Sequence, residues 1–241
     1  MAVKETLVTP DVAEVRAKVE QDGFALVRGL GGQRNAIPLL QALGTLLPQY
    51  KGGLEHDVTY VPGFEGKSYS QSVNTILAHT EAPGWDPSPR YLALYCHHQA
   101  RCGGGYTDLF DGRRLIELLA PEEIRLLTDH PITFPGPGGG VRTSLFSGDG
   151  GRAVLRFSYN LLTTGGYDPD LDRVPAAEEL PLGQAGGDLA EKVSALFAEH
   201  RTPLLIPDDA LLVWDNQRML HARSEYADQD RHLVRYWIAD R

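Results

Sequence analysis

The stretch "LLIPDDALLVWDNQRMLHARSEYADQDRHLVRYWIADR", residues 204–241, closes the chain, and its reading decides the fold. Within it "ALLVWDN" (210–216) is an apolar strand ending in a polar turn, and His221 follows after Met219 and Leu220. A further strand, "HLVRYWIAD" (232–240), is apolar and aromatic between its polar ends except for Arg235, with Arg231 just before it. Side chains alternate faces along a strand. Arg235 therefore shares a face with Leu233 and Trp237, which suits a charge reaching into a walled pocket rather than into water. Trp214 and Trp237 read as core.

Upstream, "LAHTEAPGW" (77–85) sets a His and a Glu one residue apart in an otherwise apolar, neutral run. On a strand His79 and Glu81 project to one side and Thr80 to the other. Two metal-capable groups on one face need a third, and the sequence offers eight histidines: 56, 79, 97, 98, 130, 200, 221 and 232. His130 and His200 fall at expected helix ends, where a basic residue suits the helix dipole, and His232 is given no role. His221 stands out by its place at the turn between two strands.

Working outward, "PDVAEVRAKVEQD" (10–22) has Val12, Val15 and Val19 near helical spacing, and Gly23 stops the helix before the strand "FALVRGL". "AIPLLQALGTLL" (36–47) reads as a second helix with Pro38 in its first turn. Residues 50–70 read as loop, and Ser72 to Phe110 as mostly extended, broken by "APGWDPSPR". "LIELLAPEEIRLLTDH" (115–130) is helical, with Pro121 at a helix start. "VRTSLF" and "AVLRFSYNLL" (153–162) read as strands, "TTGGYDPDLDRVPAAEELPLGQAGG" (163–187) as a long insertion, and "DLAEKVSALFAEHR" (188–201) as a helix. Helices in front and many short strands behind imply a mainly β chain, an antiparallel sandwich or barrel with flanking helices. No linker or repeat divides it, so residues 1–241 are expected to form a single domain.

Composition narrows the function. The 241 residues hold 32 acidic against 23 basic side chains, a net charge of −9, whereas a nucleic-acid partner would want a basic face. No apolar run resembles a signal peptide or approaches the roughly 18 residues of a membrane helix. The chain has two cysteines, Cys96 and Cys102, so no disulfide framework is expected, which fits a reducing, cytoplasmic setting. "CHHQARC" (96–102) has no structural-zinc spacing, because Cys96, His97 and His98 are consecutive and cannot all face one ion along a strand.

These residues, in this order, resemble the motif of the iron(II)/2-oxoglutarate-dependent oxygenases of the taurine dioxygenase and clavaminate synthase-like superfamily. The family pattern is His-x-Asp/Glu, a Gly-Gly-x-Thr stretch, a distal His, and an Arg some ten to fifteen residues later. Here it reads His79-Thr80-Glu81, Gly104-Gly105-Tyr106-Thr107, His221 and Arg235. Glu in place of the commoner Asp is similar to the clavaminate synthase, asparagine and arginine hydroxylase branch. The resemblance implies a double-stranded β-helix (jelly-roll) core. It also implies iron(II) held by His79, Glu81 and His221, leaving three positions open, two for 2-oxoglutarate and one for O2. The far carboxylate of 2-oxoglutarate would meet Arg235 as first choice, Arg231 as fallback, and the Thr107 hydroxyl.

The implied reaction decarboxylates 2-oxoglutarate to succinate and CO2 and oxidises an unactivated C–H bond of a small molecule, an amino acid or a natural-product intermediate. Hydroxylation is the default, with desaturation or ring closure as alternatives. Glu81 disfavours halogenation, since family halogenases replace that carboxylate. A zinc hydrolase with a His2Glu set is the competing reading, against which stands the lack of a His-Glu-x-x-His helix, and a non-catalytic sensor or scaffold is a third. "DPDLDRVPAAEE" (168–179) copies a calcium loop but has Arg173 where the loop needs glycine. The same segment suggests a lid whose Asp168 and Asp170 meet a substrate amine. The glycine runs "GPGGG" and "SGDGG" lack the Lys-Ser/Thr of a phosphate loop. Arg156 and Asn160 are weaker candidates for substrate contact. The expected state is a monomer or small homo-oligomer.

Overall fold

The computed structural model describes residues 11–149, 152–168 and 175–240. Helix α1 (Val12–Asp22) is followed by β1 (Phe24–Arg28), α2 (Ala36–Leu43), β2 (Thr45–Leu47), β3 (His56–Thr59), β4 (Ile76–His79), β5 (Tyr91–His98) and β6 (Thr107–Asp111). Helices α3 (Gly112–Leu118) and α4 (Pro121–Asp129) lead into two hairpins, β7 (Ile132–Phe134) with β8 (Val141–Thr143) and β9 (Phe146–Asp149) with β10 (Arg152–Leu155). Helices α5 (Tyr159–Thr164) and α6 (Gly183–His200) precede β11 (Thr202–Leu204), β12 (Ala210–Asp215), β13 (Met219–Arg223) and β14 (His232–Ala239).

Two antiparallel sheets face each other, in the jelly-roll arrangement with flanking helices. The larger runs β1-β12-β5-β14-β2, with β3 also paired to β14; the smaller runs β11-β6-β13-β4. Strict alternation sorts the side chains. Leu92, Leu94 and Cys96 of β5, Leu212 and Trp214 of β12, and Leu233 and Trp237 of β14 fill the space between the sheets. Their neighbours Ala93, Tyr95, Leu211, Val213, Val234 and Tyr236 turn outward and are covered by Val15 and Val19 of α1 and Leu39, Leu40 and Leu43 of α2. On the other side Phe110, Leu220 and Ala222 of the smaller sheet pack against Leu115, Leu127, Leu189, Val193 and Phe197 of the later helices. Strands covered on both faces read as unbroken apolar runs, which is why "ALLVWD" is buried at every position.

Local signals account for most element ends. The Asp11 side chain accepts from the Ala13 N–H at 2.9 Å to start α1, and Gly23 closes it at φ 86°. Pro121 opens α4, and the Glu123 carboxylate accepts from the Ala120 N–H at 2.7 Å. His130 and His200 sit at the ends of α4 and α6, as expected.

Several boundaries differ from the sequence reading. Residues 36–47 are not one helix: it ends at Leu43, and Thr45–Leu47 is a strand on β14. Residues 50–70 contain β3, which also pairs with β14. Residues 115–130 form two helices, and 153–162 change from strand to helix where the Ser158 side chain caps α5. The last long helix begins at Gly183, five residues before the expected start. The 96–102 run makes no metal cluster among the described residues; Cys96 is buried and Cys102 exposed, both as free thiols. Most of the calcium-like loop, including Asp170 and Arg173, lies outside the described residues.

Gly44 marks where α2 meets the sheet: a Cβ there would lie 1.9 Å from the carbonyl oxygen of Ala239. Gly44→Ala should force β2 away from β14 and destabilise the fold by about 1–3 kcal/mol, measured by denaturant unfolding.

Candidate metal centre

β4 ends at His79, and Glu81 lies in the turn beyond it. The alternation still holds. Thr80 points away, its N–H donating to the Phe157 carbonyl at 2.8 Å and its hydroxyl accepting from the Phe157 N–H at 3.0 Å. Asn216, at the end of β12, pins the next peptide. Its amide oxygen accepts from the Glu81 N–H at 2.7 Å, and its NH2 donates to the carbonyls of Glu81 and Pro89, both at 3.0 Å. Ala82 then takes a left-handed φ of 49°, turning the chain sharply after Glu81.

β13 brings the third group. It pairs antiparallel with β4 so that His221 lies directly opposite His79, with ring centroids 4.1 Å apart. The Glu81 Oε2 is 3.7 Å from His79 Nε2 and 3.9 Å from His221 Nε2. Ligand atoms of all three residues fall within 4.8 Å of one another, and no other such group of three occurs among the described residues.

The protonation pattern suits a divalent metal. His79 Nδ1 lies 2.8 Å from the Leu77 carbonyl, a contact that places the ring proton on Nδ1 and leaves the Nε2 lone pair facing inward. Burial, reinforced by nearby His79, pushes His221 well below the usual imidazole range, so it is neutral. Burial alone would raise Glu81, but the Arg235 guanidinium beside it outweighs that and holds the carboxyl well below the usual carboxylate range. Neutral imidazole and ionised carboxylate are the forms that bind a metal.

Behind the trio lies a narrow cavity of about 60 Å³ lined by His79, Glu81, Thr107, His221, Arg231 and Arg235, among others. Thr107 is placed by the pairing of β6 with β13, where it stands opposite Arg223. Arg235 and Arg231 differ sharply. Arg235 Nη1 pairs with Glu81 Oε1 at 2.8 Å, and its Nε donates to the Gln49 side chain at 3.0 Å. Arg231 is 2% exposed, lies over the Tyr226 ring at 4.9 Å, and has no acidic partner among the described residues; its Nη1 is buried without a hydrogen bond. The Gly-Gly pair makes room for it: a Cβ on Gly105, whose φ is 77°, would sit 3.0 Å from Arg231 Nε.

A second, larger cavity of about 200 Å³ shares His79, Glu81 and Arg235 with the first and has Tyr50, Tyr69, Trp85, Asn160 and Asp168 in its wall. Asp168 stands at its rim, and partial burial raises its carboxyl above the ordinary aspartate range. Arg156 does not line this cavity; it donates to the Pro83 and Trp85 carbonyls, shaping the turn after Glu81. Sequence reasoning missed Gln49, Tyr50 and Asn216. Tyr50 opens the segment read as loop, Gln49 falls between that segment and the helix read before it, and Asn216 was legible only as the polar end of a strand.

The family comparison agrees with this geometry. Residues 3–237 match the model of the taurine catabolism dioxygenase TauD, TfdA family. The chain belongs to that family. No curated protein matches it in sequence. Among solved structures it is similar to asparagine oxygenase in complex with Fe(II), 2S,3S-3-hydroxyasparagine and succinate, with TM-score 0.74 and 20% identity over 96% of this chain and 78% of the other. It is also similar to the non-heme iron oxygenase OrfP in complex with Fe and alpha-ketoglutaric acid, with TM-score 0.69 and 18% identity over 96% and 81%. At those identities the likeness is one of fold, and the TauD-family chain shares their jelly-roll core.

Asn216→Ala would leave the buried N–H of Glu81 without its acceptor. It should cost about 1–3 kcal/mol of stability and weaken metal uptake by this dioxygenase, both readable from thermal melts with and without added Fe(II) under anaerobic conditions.

Proposed function

We propose that residues 1–241 form a single cytoplasmic iron(II)/2-oxoglutarate-dependent oxygenase domain that hydroxylates a C–H bond of a small amino acid. The observation that carries this reading is the convergence of His79 Nε2, Glu81 Oε2 and His221 Nε2 beside a buried, unpaired guanidinium at Arg231. The bound metal, with 2-oxoglutarate and O2, supplies the oxidising chemistry, giving succinate, CO2 and a hydroxylated product.

The protein's own residues do the rest. His79, Glu81 and His221 hold the ion on one side only, which leaves room for cosubstrate and O2. Arg231, with Thr107 on the same cavity wall, is assigned the far carboxylate of 2-oxoglutarate. This reverses the order of preference between the two arginines, for a physical reason: Arg235 already neutralises Glu81, while Arg231 holds a buried charge with no counterion. Arg235 borders both cavities and has a buried Nη2 with no hydrogen bond, so it can also meet a substrate carboxylate. Asp168 at the opposite rim is suited to an ammonium or guanidinium group. A carboxylate at one end and a cation at the other describe an amino acid, the class bound by the asparagine oxygenase and OrfP structures. The net charge of −9 supports a small-molecule rather than a nucleic-acid partner. No helix among the described residues is long and apolar enough to cross a membrane. A zinc hydrolase would leave Arg231 and Thr107 without a task.

Anaerobic titration of the Fe(II) protein with 2-oxoglutarate should develop the weak visible charge-transfer band of a chelate. His221→Ala should abolish it, and Arg231→Gln should raise the 2-oxoglutarate needed by about ten- to a hundredfold, as expected for a lost buried charge-assisted hydrogen bond. Arg235→Gln should raise it less. No band in iron-loaded wild type would refute the oxygenase reading, and the opposite order of the arginine variants would return the far carboxylate to Arg235.

Amino acids that stimulate succinate release identify the substrate. For a cationic one, Asp168→Ala should raise KM with little change in kcat. The raised Asp168 carboxyl has the same consequence for pH: the group gains its proton, and the attraction is lost, as pH falls through that raised value. KM for the cationic substrate should therefore climb on acidification in the wild type and stay flat in Asp168→Ala.

A further inference from the structure

The two oxygens of Glu81 face different surroundings. Oε2 looks toward both imidazole Nε2 atoms at 3.7 and 3.9 Å. Oε1 accepts from Arg235 Nη1 at 2.8 Å and from the Tyr50 hydroxyl at 3.2 Å. Tyr50 itself is held in place. Its ring meets Trp237 edge-on at 5.4 Å and His56 at 5.5 Å, and the Arg235 guanidinium lies 5.5 Å from its centroid. The neighbouring Gln49 is 3% exposed; its side-chain oxygen accepts from Arg235 Nε, and its NH2 donates to the backbone carbonyl of Arg235 at 2.9 Å. The adjacent pair Gln49-Tyr50 thus grips Arg235 from one side and Glu81 from the other. Tyr50 is 52% exposed overall, but its hydroxyl turns inward onto the carboxylate.

We propose that Tyr50 is a positioning residue that, with Arg235 anchored by Gln49, reserves Oε1 of Glu81 for hydrogen bonding and leaves Oε2 as its single metal-binding atom. The inference rests on the reading of His79, Glu81 and His221 as the metal set. Its consequence is stoichiometric. A carboxylate that binds through one oxygen occupies one coordination position, so three of six remain, which is the number that a chelating cosubstrate and O2 together require. A carboxylate free to swing onto the ion through both oxygens would take one of them away. Groups that hydrogen-bond a metal's carboxylate ligand also fix its orientation, and losing one typically costs ten- to a hundredfold in metal affinity. Tyr50 lies in the wall of the larger cavity as well, so whatever fills that cavity touches the group that holds Glu81.

The test is anaerobic titration with cobalt(II), a spectroscopic stand-in whose visible bands report coordination number and geometry without turnover. Tyr50→Phe removes one oxygen atom and keeps the ring contacts. It should raise the cobalt Kd by about tenfold and alter the visible band shape, with the melting temperature of the metal-free protein unchanged. Tyr60→Phe is the control: it removes another tyrosine–glutamate hydrogen bond, to Glu65 at 2.6 Å in the exposed loop, and should change neither reading. A Tyr50→Phe protein that binds cobalt as tightly as wild type or more tightly, with the same spectrum, overturns the inference and leaves the oxygenase reading intact. Wild-type protein that takes up no cobalt overturns both.

Discussion

A carboxylate buried to 6% exposure is the constraint on which this structure depends. Taking the Glu81 charge out of water is costly, and a buried ion pair is tolerated only where geometry and extra hydrogen bonds compensate. Here Arg235 meets one oxygen at 2.8 Å, Tyr50 adds a donor, and Asn216 fixes the peptide through both faces of its amide. Each of these partners comes from a different part of the chain, so the carboxylate can be satisfied only when the strand carrying Arg235, the turn carrying Asn216 and the segment carrying Tyr50 are all in place. The chemistry of the site is therefore also a condition on the fold.

The second constraint is the excess of positive charge behind it. The smaller cavity is bordered by Arg223, Arg231 and Arg235 and by one acid, Glu81. Arg223 is neutral to this imbalance in function because it is spent on structure. Its guanidinium donates to the carbonyls of Tyr69, Ser70 and Asn74 and to the Ser72 hydroxyl, strapping that loop to β13. Arg231 has only the face of Tyr226, which offsets part of the desolvation cost but supplies no counterion. In a chain of net charge −9 the positive charge is thus concentrated at this one cavity.

Much of this was legible in sequence because the period-two alternation of a strand is simple. Period-two alternation put His79 and Glu81 on one side and Thr80 on the other, and it placed Arg235 with Leu233 and Trp237. The pairing of β13 with β4 then made His221 the partner of His79. What escaped was set by tertiary contact. Gly44 ends a helix whose apolar continuation, Thr45–Leu47, is claimed by the edge of the sheet. "AVLRFSYNLL" is mostly apolar, interrupted by Arg156, Ser158 and Asn160, and a run of that length does not distinguish strand from helix; the Ser158 cap decides it. Gln49 and Tyr50 carry no local signal, because their role exists only once β14 has brought Arg235 to them.

The choice between the two arginines shows where the limit lies. Arg231 and Arg235 are four residues apart, but only Arg235 lies in β14; Arg231 precedes the strand, and the register shifts between His232 and Leu233. Strand alternation therefore cannot rank them, and their surroundings differ completely. One reaches Glu81 and the larger cavity; the other, just before β14 begins, lies against Gly105 and Tyr226. Two arginines four residues apart, one on the inward-facing strand and one just before it, are therefore held at positions with different surroundings. Burial and counterions then decide which is already answered within the protein and which is left for a ligand.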